Sequence, residues 1–174
     1  MRPTTFPRLL ADQCANSGSR PLVTFYDDAT GERVELSVVT YANWVAKTAG
    51  LLQDELGLER GGTLAVDLPT HWLGPVVLGA AWTVGLAVTP DVGTGGAGAS
   101  ADVVVCGPAG LAAHAGGTAA VVALSLRPLG APFAEPLPPG VVDYGAVVWG
   151  QPDAFLAIEE PEGDDPAWNA YDLG

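Results

Sequence analysis

With 174 residues, 48% of them hydrophobic and only 16% charged, the chain can build one α/β domain around a solvent-free core and is too apolar to be disordered. Its 20 acidic residues against 7 basic ones leave a net charge of −13, which repels phosphate backbones and anionic bilayers and excludes nucleic acid and membrane as partners. The 23 glycines and 15 prolines imply long turns and an irregular stretch.

Taken in chain order, Phe6 to Asn16 reads as a short helix with Leu9, Leu10 and Ala15 on its apolar side. Pro21 to Tyr26 and Glu32 to Leu36 read as strands joined through Asp27-Asp28-Ala29-Thr30-Gly31, an N-terminal β-hairpin. Thr40 is expected to cap a helix from Tyr41 to Leu56. There Trp44, Val45, Thr48, Leu51, Leu52 and Leu56 recur at helical spacing, and Gly57 closes it. A strand from Thr63 to Leu68 follows the Gly61-Gly62 turn. Next come a helix from Trp72 to Val84 stopped by Gly85, and a strand from Leu86 to Thr89.

The Gly/Ala/Thr stretch from Asp91 to Ala101 is a loop. Asp102 to Cys106 is a strand, Pro108 to His114 a short helix and Ala119 to Leu124 another strand. Strands alternating with helices at this spacing predict a doubly wound, mostly parallel sheet with flanking helices. The domain is expected to occupy 1–127. Beyond it, 128–174 forms a Pro-rich and acidic extension, with a connector from Ala131 to Gly140, a last helix from Val141 to Trp149 and a solvated acidic tail from Gln151.

Cys14 and Cys106 have no metal-ligand spacing and suit a reducing compartment, with Cys106 a buried small hydrophobe. Met1 to Ser19 has no signal-peptide core, and the apolar run Trp72 to Val88 is broken by Pro75, Gly79 and Gly85, so the chain is expected to be cytoplasmic.

Several of these segments, in this order, carry a likeness. Thr40-Tyr41 opening a long helix is one. Gly61-Gly62-Thr63-Leu64-Ala65-Val66-Asp67-Leu68-Pro69 is another, and Leu78-Gly79-Ala80-Ala81 running on to Val88-Thr89-Pro90 is a third. With Asp102-Val103-Val104-Val105 next in line, the stretch from Leu9 to Leu124 resembles the N-terminal subdomain of adenylate-forming (AMP-binding) enzymes, the acyl-CoA synthetases and peptide-synthetase adenylation domains. The resemblance implies the acetyl-CoA synthetase-like fold. It also implies a Ser/Thr/Gly-rich loop ending in lysine, a Tyr-Gly-x-Thr-Glu element and a C-terminal lysine, none of which has a match here. The single lysine, Lys47, lies inside the first long helix. Without these groups the charge on a transferring phosphate has no partner, so the chain alone is not expected to adenylate anything. No cofactor is required, and ATP, AMP or an acyl ligand is implied by resemblance only.

The candidate ligand-binding residues are Asp67, Thr70, His71, Gly107 and Gly110, at the carboxyl ends of two strands, where open α/β sheets place ligands. Asp67 and His71 can form an acid–base pair, but no nucleophile lies nearby, and Thr70 reads equally as a helix N-cap. Gly107 and Gly110 frame a strand-to-helix turn with N–H groups suited to an anion, a feature common to every such turn. His114 is expected to meet the last carbonyls of its helix. Gly93 to Gly98 formally matches G-x-G-x-x-G, yet a strand follows it, so it is a loop and not a dinucleotide site. No catalytic or metal-ligating set emerges. The leading expectation is a non-catalytic relative of the ligase front end that binds a small molecule or a protein, or forms a homo-oligomer. The alternatives are one part of a split AMP-dependent ligase, and an assembly module with an acidic recruiting tail.

Overall fold

The computed structural model describes residues 4–90 and 101–169; the glycine-rich loop reading of Asp91 to Ser100 lies outside the described residues. Helix α1 (Phe6–Ser17) leads into a hairpin of β1 (Pro21–Asp27) and β2 (Glu32–Ser37), paired antiparallel as the alternation predicts. Helix α2 (Val38–Gly50) starts earlier than expected: Ser37, not Thr40, is its N-cap, and the Ser37 hydroxyl accepts the Thr40 N–H at 3.2 Å. It continues into a wider π turn, Leu51–Glu55, whose bonds run from Leu56 N to Leu51 O and from Leu58 N to Leu52 O. Gly57 and Gly85 close their helices at φ 66° and 89°, the left-handed backbone for which glycine carries no Cβ penalty.

The second sheet has five strands, β3 (Thr63–Asp67), β4 (Ala87–Pro90), β5 (Val103–Cys106), β6 (Ala120–Ala123) and β7 (Val141–Asp143), in the order β4-β3-β5-β6-β7 and all parallel. Helix α3 (Leu73–Val84) crosses from β3 to β4, and the short α4 (Leu111–His114) follows β5.

Pleating sorts each strand's residues onto two faces. Leu64, Val88, Val103, Val105 and Val122 face the main core with Val45, Leu52, Val76 and Val77 of the α2–α3 layer. Ala65, Val104, Cys106, Val121 and Ala123 face the other side, under Leu111, Phe133 and Leu137. Helices α2 and α3 approach closely because Gly79 has no side chain; a Cβ there would overlap the Tyr41 hydroxyl, which donates to Pro75 O at 2.8 Å. Burial pushes the Tyr41 phenol up to about 12.

Val141 to Trp149 is not one helix. Val141–Asp143 pairs with β6 as the fifth strand, then α5 (Tyr144–Val147) and a 3₁₀ turn (Val148–Gly150) follow. An unpaired β6 edge is satisfied by two β-branched residues in the extended state better than by a helix start.

Nor is the tail from Gln151 merely solvated. Lys47 Nζ donates to Gln151 O and lies 3.0 Å from Asp153. The Gln53 amide grips the tail backbone at both ends, accepting from Ile158 N and donating to Leu156 O. Arg60 makes a two-pronged bond to Asp165, and Trp82 donates to Ala167 O. Ala167 to Asn169 lie against the outer edge of β4, with Val88 N donating to Ala167 O and Asn169 N to Val88 O. The tail is a strap around the domain.

Candidate functional site

The carboxyl ends of β3 and β5 carry Asp67 and Cys106, and of the predicted residues Asp67, Gly107 and Gly110 meet there, whereas Thr70 and His71 do not. Asp67 pairs with His114, not His71: its Oδ2 lies 2.9 Å from His114 Nε2. The contact forms because α4 is a single turn that returns its last residue over the β3 terminus. Gly110 is required by the same pair, since a Cβ there would overlap the Asp67 carboxylate. Gly107 N donates to Asp67 O at 3.0 Å and Gly110 N to Gly107 O at 3.2 Å, so both N–H groups are already engaged within the turn. A carboxylate beside that turn also disfavours an anion there.

His71 lies elsewhere, only 7% exposed, at the start of α3. Its Nδ1 accepts the Leu73 N–H at 3.2 Å, so His71 performs the capping expected of Thr70, whose side chain is exposed. A neutral imidazole accepting at Nδ1 carries its proton on Nε2, and that donor has no hydrogen-bond partner among the described residues. The ring instead meets Phe25 of the hairpin at 5.1 Å and Trp72 at 5.7 Å between centroids. Burial lowers its pKa from the ordinary value, with Asp27 opposing.

Two clefts open on either side of this ring. One, of about 590 Å³, lies under the hairpin loop and is lined by Phe25, Asp27, Glu32, Thr70, His71 and Leu126. The other, of about 480 Å³, is lined by Val23, Phe25, Leu68, Thr70, His71 and Trp168 among others. Leu126 reaches the first cleft from a left-handed backbone, φ 57°, a conformation that costs a non-glycine residue energy and fixes the side chain's direction.

Cys106 and Ser125 are committed to structure. Cys106 is fully buried, and desolvation, aided by Asp67, raises its thiol to about 11, as expected of a small hydrophobe. The Ser125 hydroxyl donates to Ala131 O and accepts from Arg127 N. Among the described residues no three His, Cys, Asp or Glu side chains cluster to hold a metal ion. Nor is any described helix long and apolar enough to cross a membrane.

This geometry has counterparts of known structure. Acyl-CoA synthetase from Brucella canis superposes with a TM-score of 0.74 at 20% identity, covering 93% of this chain and 30% of that one. The anthranilate CoA ligase AuaEII, solved with anthranoyl-AMP, gives 0.73 at 12% identity over 100% of this chain and 33% of its own. The fold is that of an acyl-CoA synthetase N-terminal domain. The N-terminal domain of FACL13 from Mycobacterium tuberculosis matches as well, with a TM-score of 0.64 at 14% identity over 95% of this chain and 41% of that one.

Coverage this complete reaches past the Leu9 to Leu124 stretch that carries the motifs: the segment after Arg127 belongs to the same ligase-like fold. No family model matches the chain. A curated relative from Mycobacterium tuberculosis, described as a TIGR03089 family protein, is 40% identical over 166 residues, which is 91% of this chain and 65% of that protein. The chain thus spans about two thirds of the curated relative and about a third of the two complete ligases.

Proposed function

We propose that this chain is the front end of a reduced, ligase-derived protein that binds and does not adenylate. The observation that carries the reading is a comparison of lengths. A chain that fills 30% of a synthetase fills 65% of its 40%-identical relative, so that relative is roughly half the length of a synthetase. Half a ligase holds the sheet described above without room for every element of adenylation. The fate of the only lysine supports the same view: Lys47 is bound to the strap at Gln151 and Asp153 and is not available to a phosphate.

The bound species on this reading is a small molecule in the clefts beside Thr70 and His71, or a protein partner. Asp67, Gly107 and Gly110, at the neighbouring strand ends, complete the set of ligand-binding candidates on this reading, and the setting is cytoplasmic. ATP–pyrophosphate exchange by the purified protein with a broad panel of carboxylic acids is the direct test. Exchange at background is expected, and turnover at an ordinary enzymatic rate would overturn the reading.

A second reading, one component of a split AMP-dependent ligase, is favoured by the one-third coverage of the complete ligases. Exchange activity that appears only on adding a separate chain bearing the lysine loop would decide for it.

A further inference from the structure

The wall beside the two clefts holds a pair of buried donors that the fold does not use. His71 Nε2 and Trp72 Nε1 are cut off from bulk water, and among the described residues they are the two buried side-chain polar atoms without a hydrogen-bond partner. They sit on consecutive residues, 7% and 2% exposed, and a buried N–H left without an acceptor is destabilising. The imidazole is aimed by its other nitrogen. Nδ1 faces the first turn of α3 and accepts the Leu73 N–H, so Nε2, on the far edge of the ring, points away from that turn. Phe25 of the hairpin lies against the ring, and Phe25, Pro69, Thr70 and His71 line both clefts and form the partition between them.

The clefts differ in charge. Asp27, Asp28 and Glu32 line the one under the hairpin loop. The other, of about 480 Å³, is lined by Trp72 as well as His71 and has no Lys, Arg, Asp or Glu in its wall, which is mostly apolar through Val23, Leu68, Pro75 and Leu78. Donors in the wall call for an acceptor and turn away a cation. A carboxylate would give up its water with no cation to receive it, in a chain of net charge −13. We infer that this cleft takes an uncharged apolar compound bearing a carbonyl oxygen (a ketone, ester or amide), which accepts from His71 Nε2–H and Trp72 Nε1–H once the Phe25 ring turns aside. The inference rests on the reading of the chain as a small-molecule binder and adds to it the class of ligand. Burial suits His71 to the task by holding it neutral, with one N–H to give.

Benzylacetone, hydrocinnamate and butylbenzene each join a phenyl ring to a short chain, and they separate the acceptor from charge and from apolar bulk. Proton–nitrogen NMR titration of the full chain at neutral pH reads His71 Nε2–H and the Trp72 indole N–H, the latter identified by its loss in Trp72→Phe. Benzylacetone should move both signals downfield in a saturable way and bind about tenfold more tightly than either other compound. Trp72→Phe removes one donor. His71→Asn keeps an acceptor for the Leu73 N–H and ends short of Nε2. Each variant should lose most of the ketone's advantage over butylbenzene, and comparing two compounds on one variant cancels any general loosening of the cleft. Preference for hydrocinnamate, equal affinity for benzylacetone and butylbenzene, or an advantage that survives in both variants would each overturn the inference. So would no binding of any of the three, the result expected if ordered water alone meets the two donors. All of these outcomes leave the non-adenylating reading standing, whereas pyrophosphate exchange would remove that reading and leave the ketone's preference intact.

Discussion

His71 sits where the start of α3, the hairpin and both clefts meet, and its burial makes the whole junction sensitive to acid. The folded protein holds the imidazole neutral, with its pKa below the ordinary 6.5, whereas the unfolded chain takes up a proton at that value. The stability linked to His71 is therefore complete above about pH 6.5 and is lost as the pH falls below it toward the lower folded value. A denaturant midpoint measured from pH 7.5 down to 5 should fall through this window. His71→Asn keeps an acceptor for the Leu73 N–H but cannot titrate, so it should remove this part of the slope. Gly110 offers a second single-residue test. Gly110→Ala places a methyl group on the Asp67 carboxylate and must displace the Asp67–His114 pair or the turn. A cost of about 1–3 kcal/mol in urea unfolding is expected, in line with other overpacked sites.

Among the elements, the strap shows most clearly what a sequence can and cannot disclose. Arg60 and Asp165 meet in a two-pronged bond at 2.7 and 2.8 Å although 105 residues separate them, and no local pattern announces such a partner. The bond holds the Asp165 carboxyl below its usual range, so this latch is complete above pH 3.8 and opens only as the pH falls below that value. Arg60→Ala should free the strap at neutral pH. Limited proteolysis between Gln151 and Asn169 is expected to quicken severalfold, and Trp82 and Trp168 emission should shift to the red as their contact loosens.

The elements that were legible are those with local periodicity: α1, the hairpin, α3 with its Gly85 stop, and the valine-rich strands β3 to β6. Misreadings fell where two local signals compete. Ser37 and Thr40 are both capping residue types three positions apart; the expected cap is Thr40, and the structure uses Ser37. In the candidate site, the place of Asp67 and Gly107 at the ends of β3 and β5 followed from the strand pattern. The pairing of Asp67 did not, because the path of α4 decides which histidine meets it.

At the scale of the whole molecule, the segment after Arg127 completes the core. Strand β7 gives the sheet its fifth member, and just after it Tyr144 is buried against α2, its hydroxyl 2.8 Å from the Thr48 hydroxyl, which in turn donates to Trp44 O. Burial raises the Tyr144 phenol far above its usual value, so it stays neutral at any pH the fold survives. Removing one hydroxyl by Tyr144→Phe should cost about 1 kcal/mol, whereas Tyr144→Ala empties a core position and should cost about 3–5 kcal/mol. A fragment ending at Arg127 loses Tyr144, β7 and the strap together. It leaves the β6 edge unpaired, uncovers Phe133's and Leu137's contacts with Val104 and Val121, and strips Lys47, Gln53 and Arg60 of their partners. It should bind a hydrophobic dye and unfold without a cooperative transition, while the 174-residue chain melts in one step. A cooperative melt from the fragment would show instead that the first four strands of the parallel sheet hold together without the segment that wraps them.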